Sequence, residues 1–353
     1  MVKKILMAIA YSMLVSCGYF RVTDLSASKV CAIPSGAALG AVSINYNESG
    51  LLDMSFGVLL ADDKVYVKDN IQKKVLVFDR DGKCLIAIGN ISATAEGKDI
   101  KKTQVKFDII GTMVADSDEN LYVQNRLASV QRIDAAGTPI DMSPSFILVF
   151  DQDGKLQYTI GQTGMPTVPF YYIEHLEIDK KNRLFVIART YDIWSVYRFD
   201  KRQRDYYMTF TRNYFVDAVD ATTSYTGKIE NIRILHSGDS FLLSVAFYNN
   251  TRFKYRKLYQ FDIKESKPVE LLKISEPKNE LFTVVQNKYI YMWNVDETNE
   301  VKFMLYNFDG TMIGNVRCKF PGQALFSDID ITNEGKLYSY HAYSTGLEVY
   351  EWK

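Results

Sequence analysis

VLVFDRDGK, residues 75–83, reads as an apolar strand that ends in Phe-Asp and breaks into a Gly-Lys turn. The phrase returns as ILVFDQDGK (147–155), VYRFDKRQR (196–204), LYQFDIKES (258–266) and LYNFDGTMI (305–313), with a degenerate copy, LEVYEWK, at 347–353. A second phrase precedes each copy, a polar turn and then an aliphatic or aromatic strand: DDKVYVKD (62–69), DENLYVQN (118–125), KNRLFVIA (181–188), GDSFLLSV (238–245), NKYIYMWN (287–294) and EGKLYSYH (334–341). Alternation with period 2 is the signature of a strand. Asp, Gly, Asn and Lys at the breaks are what hairpin turns require. Successive Phe-Asp positions lie about 42 to about 72 residues apart, enough for one four-stranded blade of about 40 residues. No amphipathic helix of three turns is legible.

The expected fold is therefore all-β: a six-bladed β-propeller of four-stranded antiparallel blades, with strands A to D running from the axis outward. The second phrase is strand B and the Phe-Asp phrase is strand C. Strand D is CLIAIGN (84–90) in blade 1 and LQYTIGQ (156–162) in blade 2. The sixth copy stops at the end of its C strand. Residues 29–46, KVCAIPSGAALGAVSINY, contain strand-like pieces and are expected to complete the last blade and close the ring. Closure hides sheet edges that would otherwise template aggregation. An open solenoid would need capping repeats that the sequence lacks.

The F-D-x-x-G-K turns and L-Y-V strands resemble six-bladed NHL-type propellers, over nearly the whole mature chain. The segment IGQTGMPTVPFYYIEHLEIDKKNRLFVIARTYDIWSVYRFD (160–200) more narrowly resembles a family of spirochaetal outer-membrane propeller lipoproteins. That resemblance implies an accessory of the outer-membrane β-barrel assembly machine.

The first residues point the same way. A basic start at Met1–Lys4, an apolar run from Ile5 to Val15 and small residues at Ser16–Gly18 make a secretory signal peptide. The run is shorter than the roughly 20 residues a spanning helix needs. Leu14-Val15-Ser16-Cys17 resembles a bacterial lipobox, which implies that Cys17 becomes the lipidated first residue. One acyl chain anchors only marginally; the two or three chains of bacterial lipoproteins imply a durable anchor. Gly18 rather than Asp favours the outer membrane, facing the periplasm. The expected divisions are 1–16 signal peptide, 17–28 lipidated tether and 29–353 a single propeller domain.

Composition excludes little but excludes it clearly. The chain has 42 basic and 42 acidic side chains, and removing Lys3 and Lys4 with the signal leaves 40 against 42. Nothing forms the basic stripe that nucleic-acid binding wants. Once Cys17 is set aside, Cys31, Cys84 and Cys318 remain. An odd number cannot all pair, and a single bridge from Cys31 to Cys84 or Cys318 stays open. No Cys-x-x-Cys exists, so zinc and dithiol motifs are absent.

Antiparallel alternation puts the A–B and C–D turns on one face, all short. The B–C and D–A connections fall on the other. The long segments 90–106, 125–146, 161–171, 211–228 and 247–256 all belong to that second face. Long loops are usually functional or disordered. The connections on this face carry Tyr191, Trp194, Tyr248, Arg252 and Tyr255, residue types that anchor protein interfaces. These five are the candidate partner-binding residues.

Chemistry has weaker signals. His175, His236 and His341 are the only histidines and fall at positions that do not converge. Asp108, Glu174, Glu230, Glu280 and Asp328 lie near the starts of inner strands in five blades, at the channel mouth on the long-loop side. A divalent cation there would suit an oxygen-rich ring, and propeller lactonases use such a mouth. No lactonase motif, Gly-rich phosphate loop or Gly-x-Ser-x-Gly elbow is present. No catalytic residue, resident metal or cofactor is assigned. The favoured function is a non-enzymatic, membrane-anchored protein-interaction scaffold in outer-membrane β-barrel assembly, with strand addition to a blade edge as one mechanism. The alternatives are a metal-dependent, lactonase-like hydrolase and a surface-exposed adhesin or ligand binder.

Overall fold

The structure is a computed structural model. It describes residues 22–46, 52–53, 55–91, 97–127, 130–133, 139–142, 144–161, 170–191, 193–219, 223–285, 288–295, 300–332 and 334–353. Cys17 and its lipobox lie outside the described residues, as does most of the 161–171 segment.

The described residues form strands and turns without a helix. Six antiparallel sheets follow one another in chain order. Blade 1 consists of Phe56–Ala61, Lys64–Asp69, Lys74–Phe78 and Cys84–Gly89. Blade 2 is Ile109–Ala115, Leu121–Arg126, Ser145–Phe150 and Leu156–Ile160, and blade 3 is Tyr172–Ile178, Leu184–Arg189, Ile193–Asp200 and Gln203–Thr211. Blade 4 is Ser224–Ile234, Ser240–Asn249, Arg252–Asp262 and Lys267–Ile274; blade 5 is Asn279–Val285, Tyr289–Val295, Glu300–Tyr306 and Met312–Lys319. Blade 6 takes its three inner strands from Phe326–Ile331, Leu337–Tyr343 and Gly346–Trp352. Its outer strand is Ala27–Pro34, antiparallel to Gly346–Trp352 with Ile33 opposite Leu347. The strand within 29–46 is thus the first part of that segment, begun two residues earlier.

Four strands per blade is the rule in three sheets and is exceeded in the other three. Lys101–Gln104 adds a parallel fifth strand outside Cys84–Gly89. Val22–Asp24 adds one outside Met312–Lys319, fastened by Asp24 to Arg317 at 2.6 Å and Lys319 at 3.0 Å. Val216–Ala218 pairs with the start of the inner strand of blade 4. A separate hairpin, Val130–Ile133 with Pro139–Met142, stands in the B–C connection of blade 2.

The core lies between blades rather than at the axis. Six apolar clusters form, one for each neighbouring pair, among them blade 6 against blade 1. There Ile33, Tyr338 and Val349 meet Leu76 and Phe78. The Phe of the repeated phrase belongs to this layer: Phe78, Phe150 and Phe261 are fully buried. Full burial of such a side chain stabilises the fold by about 1.5–3 kcal/mol. Its Asp neighbour builds the turn. The Asp79 carboxylate accepts the N–H groups of Asp81 at 3.0 Å and Lys83 at 2.8 Å. Asp151 repeats this with Asp153 and Lys155, both at 2.9 Å. Gly82 and Gly154 follow at φ 80° and 76°, a region that costs glycine nothing. The recurring phrase therefore couples an inter-blade core residue to a self-closing turn.

Candidate functional site

These turns keep one face of the ring tight. The other face carries the long connections, with one exception. Residues 247–256 are a tight hairpin rather than a long segment: two strands meet at Asn250–Thr251, with Asn250 in the left-handed region at φ 54°.

Two of the cavities on the loop-bearing face are lined by residues that the sequence singles out. The first is the central channel, about 500 Å³ at its centre and about 460 Å³ at its mouth between blades 6, 1, 2 and 3. Leu59, Thr112, Met113, Glu174, Asp328 and Asp330 border both parts. Inner strands of all six blades line it, so its side chains come from residues far apart in sequence. Glu174, Glu230, Glu280 and Asp328 do meet there. Asp108 borders neither part; its backbone N–H donates to Asn125 Oδ1 at 3.0 Å at the entry to blade 2.

The acids that meet are mostly separated by their own partners. Glu174 holds Arg189 at 2.6 Å, and Glu230 holds the buried Arg256 at 2.6 Å. Asp328 accepts the Tyr340 hydroxyl at 3.0 Å. Among the described residues no three His, Cys, Asp or Glu side chains converge as a metal site.

Deeper in the channel lies a group that the sequence reading did not assemble: His175, Glu177, Asn231, Arg233 and Asp330. Asn231 donates its amide to the Leu281 carbonyl at 2.8 Å, so its oxygen faces His175 Nε2 at 3.0 Å. Nε2 therefore carries the proton. Nδ1 is left to accept from Arg233, 3.3 Å away. Burial first, and the Arg233 charge second, hold this imidazole well below its usual range, so it is neutral. Arg233 also reaches Glu177 at 3.1 Å, and the Ile234 N–H donates to the same carboxylate at 2.8 Å. Burial nevertheless raises Glu177. Asp328 and Asp330 are open to the lumen yet enclosed by the ring. Enclosure raises Asp328 and pushes Asp330 up to about 6 against the opposing pull of Arg233. A low-dielectric surround disfavours the charged form in this way.

The second cavity is a cleft of about 530 Å³ between blades 3 and 4. Its floor is aromatic and aliphatic: Trp194, Phe210, Phe215 and Ile229, all buried. Gly227 makes the close packing there, since an added Cβ would sit 2.7 Å from Phe215 Cβ and 2.8 Å from Val245 Cγ1. Tyr191 and Tyr248 also line the cleft, as do Arg189, Arg212 and Lys228. Arg189 lies over two rings, 5.2 Å from the centre of Tyr172 and 5.6 Å from that of Trp194.

The cleft gathers three of the five candidate partner residues. Tyr191 is 94% exposed, at the turn joining strands B and C of blade 3. Trp194 is buried but forms the floor. Arg252 is exposed beyond the turn at Asn250–Thr251. Tyr255 faces inward: it is buried, donates its hydroxyl to Asp217 at 2.6 Å and carries Lys273 Nζ 3.7 Å from its ring centre. Strand alternation within Arg252–Asp262 turns it away from solvent. Around the cleft, apolar exposure is concentrated. Fourteen large hydrophobic side chains are exposed among the described residues, and seven of them are Tyr171, Tyr172, Tyr191, Ile193, Tyr214, Val216 and Val219. All seven belong to the loop-bearing side of blades 3 and 4.

The remaining sequence-marked residues are structural. His341 is fully buried, between Ser327 Oγ at 2.7 Å and Ser339 Oγ at 2.8 Å. Burial brings it down to about 4, too weak a base to activate a neighbouring hydroxyl near neutral pH. Cys31, Cys84 and Cys318 are free thiols, each raised by burial.

No protein-family signature matches the sequence, and no curated protein matches it. Solved structures that align with the chain include two at low similarity. "Crystal Structure of Mitotic Checkpoint Complex" aligns at 11% identity and TM-score 0.44, covering 95% of this chain and 93% of that one. "Structure of Dos1 propeller" aligns at 12% identity and TM-score 0.44, covering 94% and 95%. The six-bladed assignment rests on the strand pairings above, not on these distant likenesses.

Proposed function

We propose that the protein is a non-enzymatic scaffold that engages protein partners through the cleft between blades 3 and 4. The observation that carries this reading is the gathering of exposed apolar side chains around one aromatic-floored cavity. Exposed apolar patches mark interaction sites, and Trp, Tyr and Arg are the usual anchors. The channel gives catalysis less support, because its carboxylates are mostly engaged one by one with Arg or Tyr partners.

The finer reading places the scaffold on a bacterial outer membrane through a lipidated Cys17, facing the periplasm, as an accessory in β-barrel protein assembly. The lipobox and the resemblance of 160–200 to spirochaetal propeller lipoproteins support it. Strand addition remains a mechanism compatible with the fold. The outer edges of blades 1 and 5 already hold a parallel fifth strand from the same chain; among the described residues, those of blades 3 and 4 hold none.

The test is affinity purification of the full chain from membranes, comparing wild type with Tyr191→Ala and with Lys181→Ala on the turn face. Truncating one interface anchor costs about 1–4 kcal/mol, so partner recovery falls roughly tenfold or more for Tyr191→Ala and is unchanged for Lys181→Ala. Equal recovery from all three would remove the cleft from the account.

A further inference from the structure

The channel and the cleft have opposite electrostatic character. The channel borders include six carboxylates, Glu174, Glu177, Glu230, Glu280, Asp328 and Asp330, against three cations, Lys68, Arg126 and Arg233. Among the described residues, the cleft is lined by Arg189, Arg212 and Lys228 and by no carboxylate. Described carboxylates of the same two blades are already engaged: Glu174 by Arg189, Glu230 by Arg256, and Asp217 by Lys257 at 2.7 Å and by Tyr255. Lys228 is exposed at the cleft and forms no ion pair with a described residue. An occupant that leaves Lys228 buried without a counter-charge would bear its desolvation cost; one that brings an anionic group would not.

We infer that the cleft takes an acidic peptide segment anchored by an aromatic side chain. The reasoning rests on the scaffold reading above and specifies its partner chemistry. The aromatic anchor follows from the apolar floor of Trp194, Phe215 and Ile229 and from the exposed ring of Tyr191 at its rim, where a ligand ring would gain aromatic contact beyond plain area burial. The acid follows from Lys228; Arg189 beside it is already paired with Glu174 and lies over Tyr172 and Trp194. A peptide fits better than a small anion because the apolar exposure continues past the cavity. Ile193 is 38%, Tyr214 37% and Val216 57% exposed, surface that only an extended ligand would cover. A peptide also fits better than a nucleic acid. Aromatic and cationic side chains together do form stacking platforms for single strands, but those lie in a positively charged groove, and here the overall charge is balanced with an acidic channel beside the cleft.

The test is selection of phage-displayed random dodecapeptides on the full chain in detergent. The best clone is then made as a fluorescein-labelled peptide for polarisation titration, with labelled oligothymidylate titrated alongside. The selected sequences are expected to be rich in Asp and Glu around a Phe, Tyr or Trp and poor in Lys and Arg. Binding of the labelled peptide should weaken as sodium chloride rises. It should fall about tenfold or more with Lys228→Glu, and also with Tyr191→Ala; both sites are exposed, so folding is preserved. Selection of basic peptides, no enrichment over a blank surface, indifference to both substitutions, or tighter binding of oligothymidylate would each overturn the inference. If Tyr191→Ala abolishes partner recovery from membranes while no acidic peptide is selected, the scaffold reading stands and this inference alone falls.

Discussion

Replacing Ile33 by Ala tests how firmly the first strands are built into the ring. Ile33 is 1% exposed, pairs with Leu347 and packs among Leu76, Phe78, Tyr338 and Val349. The change deletes three carbons from the seam between blades 6 and 1. Transfer alone amounts to about 0.8 kcal/mol per carbon, or ~2.4 kcal/mol. The residual cavity brings the expected loss to about 2–5 kcal/mol. Lys29→Ala is the control on the same strand. Its ion pair with Glu348 at 2.5 Å is solvent-facing, with side chains 45% and 28% exposed, and such pairs contribute at most about 1 kcal/mol. Urea unfolding followed by tryptophan fluorescence gives both values, provided the slope against denaturant is unchanged. A loss below about 0.5 kcal/mol for Ile33→Ala would mean that Ala27–Pro34 adds nothing to the ring, and the seam as described would be wrong.

Other substitutions address the anchor and the buried charges. Cys17→Ala should move the protein from the membrane to the soluble fraction with its circular dichroism unchanged; full membrane retention, together with a wild type free of lipid by mass spectrometry, would refute the lipoprotein reading. His341 has its folded value near 4 against an ordinary 6.5, so the unfolded chain takes the proton first. Its contribution is complete above pH 6.5 and drains away as pH falls toward 4, by up to ~3 kcal/mol. His341→Gln should therefore flatten stability across that window, and an unchanged pH profile would contradict it. Asp330 works in the opposite sense, near 6 folded against 3.8: stability is full below 3.8 and lost as pH rises through 6. Full conversion gives ~3 kcal/mol, reduced to about 1 kcal/mol by the open lumen. Asp330→Asn should accordingly stabilise the protein by that amount near pH 8 and not near pH 4; a uniform effect at both would rule out the titration.

The fold was legible because each Phe-Asp phrase states two physical requirements at once. The Phe fills an inter-blade cluster and the Asp closes a turn on its own backbone, as Phe78 with Asp79 and Phe150 with Asp151 show. The Asp closure is wholly local and the Phe recurs at the same point of successive blades, so both leave a trace in the sequence. The fifth strands leave none. Lys101–Gln104 is polar and Val22–Asp24 is three residues long, too short for a period to emerge. The hairpin at Asn250–Thr251 was hidden because strands B and C of blade 4 are long and aromatic up to the turn. Its one signal is Asn250, a residue type that tolerates the left-handed region.

The sites were legible only in part for a related reason. Tyr191, Trp194 and Tyr248 could be singled out by type, but their meeting depends on two blades packing side by side. His175 and Arg233 lie 58 residues apart, and nothing local in either strand announces their contact. The channel acids could be placed near strand starts, yet their pairing with Arg189, Arg256 and Tyr340 was invisible, and that pairing changes what the ring of acids can do.

The central claim is that the loop-bearing face of blades 3 and 4 is where partners dock. Site-specific photocrosslinking in living cells tests it most directly, with a benzophenone amino acid placed at position 191 and, separately, at the exposed position 181 on the turn face. The account predicts a discrete crosslinked protein adduct from position 191 that Lys228→Glu diminishes, and none from position 181. Adducts from position 181 with none from 191, or identical adducts from both, would contradict it.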